Sequence, residues 1–386
     1  MRPRHTRHSR RRGLVAAAAT LAALCTGQTL NALPASAAPQ APHPASAVRA
    51  AEDHAARVLA GSLTDPAWRA RVRRAALTSD EVDVTALAGR APVSLKTALV
   101  ADDRRIAAAK GLDAGVGSLL RLRLGDASMR TALDAGTAPW VVAATSDEPT
   151  ATLTAYDSRG RTHTLDARTA PAHPVYVVDI DGAKALDAGL DVLNEELARY
   201  GVSSAGPAPA RVSADRTPAA ASGGGFWTTR ISAVELSDDE EPWFKGAAEI
   251  YTLVTGFGQD GKVRVDPVDM PYLDYEGTVY RPNQILVNWS SYKYDLADAV
   301  MMEDDGGTNY RDLAKAIAAV LLTVTDQGAY IPLVNAVLDA MPDKWWRDDP
   351  DYVDSWYTLA QSDNGTRHGA RGNGWMTVEP YYVQEF

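Results

Sequence analysis

The chain has 386 residues, with 39 Lys and Arg against 49 Asp and Glu, a net charge of −10 and 46% hydrophobic residues. That size and composition suit a globular protein of about two domains with enough apolar residues to build its own core. The acidic balance disfavours nucleic acid and anionic membranes as partners, and a single cysteine, Cys25, excludes an intramolecular disulfide.

Residues 1–37 carry six arginines and no acid, an apolar stretch over 14–24, and the small-residue end Ala35-Ser36-Ala37. This is the layout of a secretory leader, with cleavage expected after Ala37. Within it, Ser9-Arg10-Arg11-Arg12-Gly13-Leu14 resembles a twin-arginine export signal with Gly13 where Phe is usual, so twin-arginine and general secretion both stay open. Leu24 before Cys25 lacks the small side chain of a lipoprotein signal. No later stretch reaches the roughly 18 apolar residues of a transmembrane segment. The expected localisation is secreted and extracellular, with an extracellular partner that the sequence does not identify.

Residues 38–201 read as a helical region followed by an α+β unit. Helices are expected over 48–59, over 66–76 with Asp65 as N-cap and Pro66 at the first helical position, and over 94–109. From Trp140 the apolar period changes to two. The stretch 151–168 predicts a hairpin turning at Asp157-Ser158-Arg159-Gly160, HPVYVVDID a buried strand, and 183–200 an amphipathic helix stopped by Gly201. His163 and His173 have no second histidine at ligand spacing and read as surface or strand-end residues.

Residues 202–225, rich in Pro, Ala, Ser and Gly, read as a linker. The remainder, 226–386, holds 12 Lys and Arg against 27 Asp and Glu and so carries nearly all of the negative charge. Its short strands, rich in Tyr and Trp and separated by Pro and Gly, predict a β-sandwich-like domain with a helical insertion over 309–340. The expected fold class is therefore α+β.

Two acidic runs stand where strands are expected to end: 238–241, followed by Pro242, Trp243 and Phe244, and 303–305, followed by Gly306 and Gly307. Ca²⁺ needs about six to eight oxygens at about 2.3–2.6 Å, and carboxylates on loops at one end of a sandwich can supply them. The expected ligands are Asp238, Asp239, Glu241, Glu249, Glu303, Asp304 and Asp305. The spacing is not that of an EF-hand, and acidic turns are commonly just solvated. The same acids could serve as a glycosidase pair, with Trp243, Trp289, Trp345, Trp346 and Trp356 as sugar-stacking or core residues. No GxSxG, HExxH, P-loop or Rossmann pattern is present. The loop around His368, SDNGTRHGARGNG, reads as a mobile hairpin tip.

The stretches TAYDSRGRTHTLDARTAPAHPVYVVDID, DDEEPWFKGAAEIY, DMPYLDYEGTVYRPNQILVNW and MMEDDGGTNY resemble the pattern of an uncharacterised secreted bacterial family, the domain of unknown function family 3103. The resemblance covers 139–386, leaves the first helices outside, and implies secretion and a two-part body without an activity. Three readings follow: a calcium-binding interaction module without catalysis, a secreted glycosidase-like hydrolase, and a structural envelope protein without ligand.

Overall fold

Along Val175–Ile180 successive side chains enter different cores: Tyr176, Val178 and Ile180 join one cluster, Val175 and Val177 another. Such a strand must be covered on both faces. The computed structural model describes residues 44–144, 151–204, 224–238, 243–304, 306–341 and 352–384. In chain order its helices are α1 (Pro44–Ser62), α2 (Pro66–Thr78), α3 (Val84–Leu87), α4 (Val93–Ala109), α5 (Arg130–Asp134), α6 (Gly182–Tyr200), α7 (Tyr310–Leu321) and α8 (Val334–Ala340).

The first sheet is mixed. It contains β1 (Val82–Asp83), β2 (Leu120–Leu124), β3 (Trp140–Ala143), β4 (Thr152–Tyr156), β5 (Thr162–Asp166) and β6 (Val175–Ile180), in the order β1-β2-β6-β3-β4-β5. Only the β3–β6 pair is parallel. Helix α1 packs on this sheet and on α4 through Ala51, Ala55 and Leu59, which recur at four-residue spacing. Asp65 caps α2 as expected, accepting from the Ala67 and Trp68 amides.

The later strands are β7 (Gly225–Leu236), β8 (Ile250–Phe257), β9 (Val263–Asp269), β10 (Gln284–Asn288), β11 (Leu296–Glu303), β12 (Tyr352–Ala360), β13 (Gly365–His368) and β14 (Gly374–Gln384). They form two antiparallel sheets, β10-β7-β14-β13 and β12-β11-β8-β9. Ile231 and Val234 of the first meet Ile250, Val254 and Met301 of the second in one core, the sandwich expected from the strand pattern.

Strand β8 is buried along its whole length, because its other face, Tyr251, Leu253 and Phe257, looks into the cluster that holds α6, α7, α1 and α4. Residues from both sides of 202–225 thus share one apolar core, and Pro42–Phe386 forms one compact unit. Most of the expected linker, 205–223, lies outside the described residues. Among the described residues no helix is long and apolar enough to cross a membrane.

Candidate functional site

The two acidic runs enter the fold differently. Strand β11 ends at Glu303, which lies opposite Ile250 of β8, and the Asp304 amide donates to the Glu249 carbonyl at 3.0 Å. Glu249, Glu303 and Asp304 therefore come together at one strand end. Asp304, 2% exposed, is turned inward, where its carboxylate accepts from Lys110 Nζ at 2.9 and 3.0 Å and from the Tyr310 hydroxyl at 2.5 Å. Lys110 is itself 0% exposed.

The geometry follows from the end of α4. Lys110 closes the helix with its amide on the Ile106 carbonyl, and Gly111 adopts φ 70° with Asn309 packed where a Cβ would stand. Residues 309–311 clamp this turn: Asn309 Nδ2 donates to the Ala109 carbonyl at 2.7 Å, the Tyr310 amide to that of Lys110 at 3.1 Å, and Arg311 Nε to that of Gly111 at 2.9 Å. Arg311 also pairs with Glu196 and Asp113. The Tyr310 ring presses on Gly189 of α6, where a Cβ would meet it at 2.2 Å.

Glu249 faces a different space. Its carboxylate lies over Gly182, the first residue of α6, at a place where a Cβ would meet Oε1 at 2.0 Å. A negative charge at a helix N-terminus is favoured by the helix dipole. There it lines a pocket of about 150 Å³ together with Glu81, Asp181, Asp269 and Asp274, and with the apolar side chains of Ala183, Leu186, Ile250 and Pro271. Among the described residues no Lys or Arg lines it. Asp181 is the N-cap of α6 and is held by Arg121.

Burial, and then the charge of Asp187, pushes the Asp269 carboxyl up to about 6. Burial also raises Glu81, with Asp179 and Asp181 adding to the effect and Arg123 and Arg121 opposing it, and burial raises Asp274. A carboxyl that holds its proton more tightly when folded stabilises the fold at low pH and loses that contribution as pH rises through its folded value. From the ordinary value of 3.8 to about 6, Asp269 therefore makes stability fall with rising pH. Thermal unfolding between about pH 4 and 7 should show this fall, and Asp269→Asn should flatten it.

Gly182→Ala is expected to displace only the flexible end of the Glu249 side chain and to change the unfolding free energy by less than about 1 kcal/mol, since alanine is the better helix former.

Asp238 is tied to the loop before β14, with its amide donating to Asn373 Oδ1 and its carbonyl accepting from Asn373 Nδ2, each at 3.0 Å. Asp239, Glu241 and Asp305 lie outside the described residues. Among the described residues no group of three or more His, Cys, Asp or Glu side chains is arranged to hold a metal ion. Trp243 and Phe244, which follow the first acidic run, pack on the first sheet: the Arg123 guanidinium donates to the Phe244 carbonyl, and Gly125 leaves room for the Trp243 ring.

His163 and His173 stack on the two faces of Trp140, with ring centroids at 4.1 and 3.9 Å. The loop after His368 is no free tip. The buried carboxylate of Asp354 accepts from the amides of Arg371, Asn373 and Gly374 at 2.7–2.9 Å, and from its own neighbour Ser355 at 2.8 Å.

Lys110, Tyr310, Glu81, Asp269 and Asp274 were not among the expected site residues. Lone charged residues at helix or strand ends carry no spacing signal that would single them out. The fold and site together define an α+β protein in which a β-sandwich is packed on a helix-covered mixed sheet, with an acidic pocket between them. No curated protein and no solved structure matches it. The chain belongs to the family described as "Protein of unknown function (DUF3103)", which matches residues 61–386 and so takes in the helices from α2 onward that the sequence resemblance left outside.

Proposed function

We propose that this chain is an exported, non-catalytic binding module whose site is the acidic pocket at the head of α6, and that the pocket takes a cation, Ca²⁺ in the first instance. One observation carries the reading: Glu81, Asp181, Glu249, Asp269 and Asp274 line the pocket, and among the described residues no Lys or Arg joins them in its wall. Carboxylates crowded in partly buried space repel one another, and a bound cation relieves both that repulsion and the burial of charge. Water molecules can complete the coordination shell that the scattered carboxylates leave open.

Thermal unfolding with added Ca²⁺ tests it. At 100 times the dissociation constant a ligand adds about 2.7 kcal/mol to the unfolding free energy, which appears as a rise in Tm of several degrees. An unchanged Tm at millimolar Ca²⁺, pH 7.5, contradicts the reading.

One observation favours a hydrolase instead. Asp269, pushed up to about 6, would keep its proton in mildly acid solution as a general acid does, beside further carboxylates that could act as its base. Turnover in a panel of glycans and esters, abolished by Asp269→Asn, would establish that reading over the first.

A further inference from the structure

Lys110 Nζ and the Asp304 carboxylate face each other at 2.9–3.0 Å, with both side chains at 1% exposure or less. The pair lies among buried side chains: the Tyr310 ring lies 5.5 Å from Nζ, and Tyr251, Glu303 and Tyr310 are 1% exposed or less. At such burial both groups have given up most of their contact with water. Moving one proton from the ammonium to the carboxylate leaves an amine, which is a nucleophile, against a carboxylic acid, which is an electrophile. The clamp at 309–311 holds the two in place, and such fixed proximity can replace a large part of a bimolecular barrier.

We propose that Lys110 and Asp304 condense into an intramolecular isopeptide bond. The Nζ lone pair attacks Cγ of Asp304, and the bond from Cγ to Oδ2 breaks. That oxygen leaves as water with two of the three ammonium protons. The third proton stays on the amide nitrogen, so ammonium and carboxylate give amide and water with no oxidant or co-reactant. The Tyr310 hydroxyl, 2.5 Å from Oδ2, donates to the departing oxygen. Burial, and then the negative charge of Asp304, hold the Tyr310 proton in place as that role requires.

The bond ties the end of α4 to the end of β11, residues 194 apart in the sequence. It is a cross-link open to a chain whose single cysteine excludes an intramolecular disulfide.

Intact-mass measurement of the purified, denatured chain reads the bond directly. The expected mass is one water below that of the same chain calculated from its own N-terminus, and protease digestion should yield one branched peptide joining Lys110 to Asp304. A full, unreduced mass, with trypsin cutting after Lys110, overturns the proposal. A cyclic imide at Asp305-Gly306 would also lose water, and Lys110→Arg separates the two. Restoration of full mass in Lys110→Arg supports the isopeptide, whereas persistence of the water loss overturns it. Because the branched peptide is sought in the native chain, the proposal stays testable even if Lys110→Arg does not fold.

Discussion

Lys110→Ala is expected to lower the unfolding free energy by about 3–5 kcal/mol, a large share of the stability of an ordinary domain. The Asp304 carboxyl, 2% exposed in the native chain, is then left among the described residues with the Tyr310 hydroxyl to meet it. The substitution also removes the contact that joins the end of α4 to the end of β11. The effect should be seen as a lower denaturant midpoint in urea. Lys110→Met combined with Asp304→Leu should cost less than Lys110→Ala alone, since no buried charge remains without a partner. A loss below about 1 kcal/mol for the single variant would mean that the carboxyl reaches water, and would contradict the buried geometry.

Asp354→Ala is the second large effect, expected at about 3 kcal/mol. Its carboxylate collects three amides of the loop 369–374 and that of Ser355, and each buried donor left unpaired costs about 1–3 kcal/mol. The lower end applies to those that water can reach. Asp354→Asn keeps an acceptor oxygen and should cost about half as much. Hydrogen exchange supplies an independent readout: the Arg371, Asn373 and Gly374 amides should be protected in the native chain and lose protection in Asp354→Ala. Equal exchange in the two would show that the carboxylate does not hold the loop.

What the sequence makes legible is local. The helix expected over 183–200 is α6, Gly182–Tyr200, because its apolar residues recur at helical spacing and Gly201 takes the left-handed conformation, φ 88°, that ends it. The hairpin at Asp157–Gly160 is equally local, with the Gly160 amide donating to the Asp157 carbonyl at 3.0 Å. Strand β2, Leu120–Leu124, shows the period-two pattern of alternating Leu and Arg, and arginines at alternate positions suggest a solvated face. They are instead largely covered, with Arg121 paired to Asp181 and Arg123 to Asp179 across the β2–β6 ladder.

The site depends on pairings that periodicity does not encode. Asp304 reads as one acid in a run of three, and only the fold shows that it faces Lys110 from the other half of the chain. The Gly- and Asn-rich loop after His368 has the composition of a mobile tip, and its anchor, Asp354, lies in a different strand. Glu249 stands out in sequence through its acidic neighbourhood. The pocket it lines draws Glu81, Asp269 and Asp274 from elements separated by many residues, so their acidity could be counted but not placed.

The central claim, that the pocket between α6 and β8 takes a cation, is tested most directly by calorimetric titration of Ca²⁺ into the wild-type chain and into Asp269→Asn/Asp274→Asn at pH 7.5 and pH 5. The account predicts saturable binding at pH 7.5, weaker binding at pH 5 because Asp269, pushed up to about 6, then holds its proton, and loss of binding in the double variant at both values. Absence of binding at pH 7.5, or binding unaltered in the double variant, would contradict it.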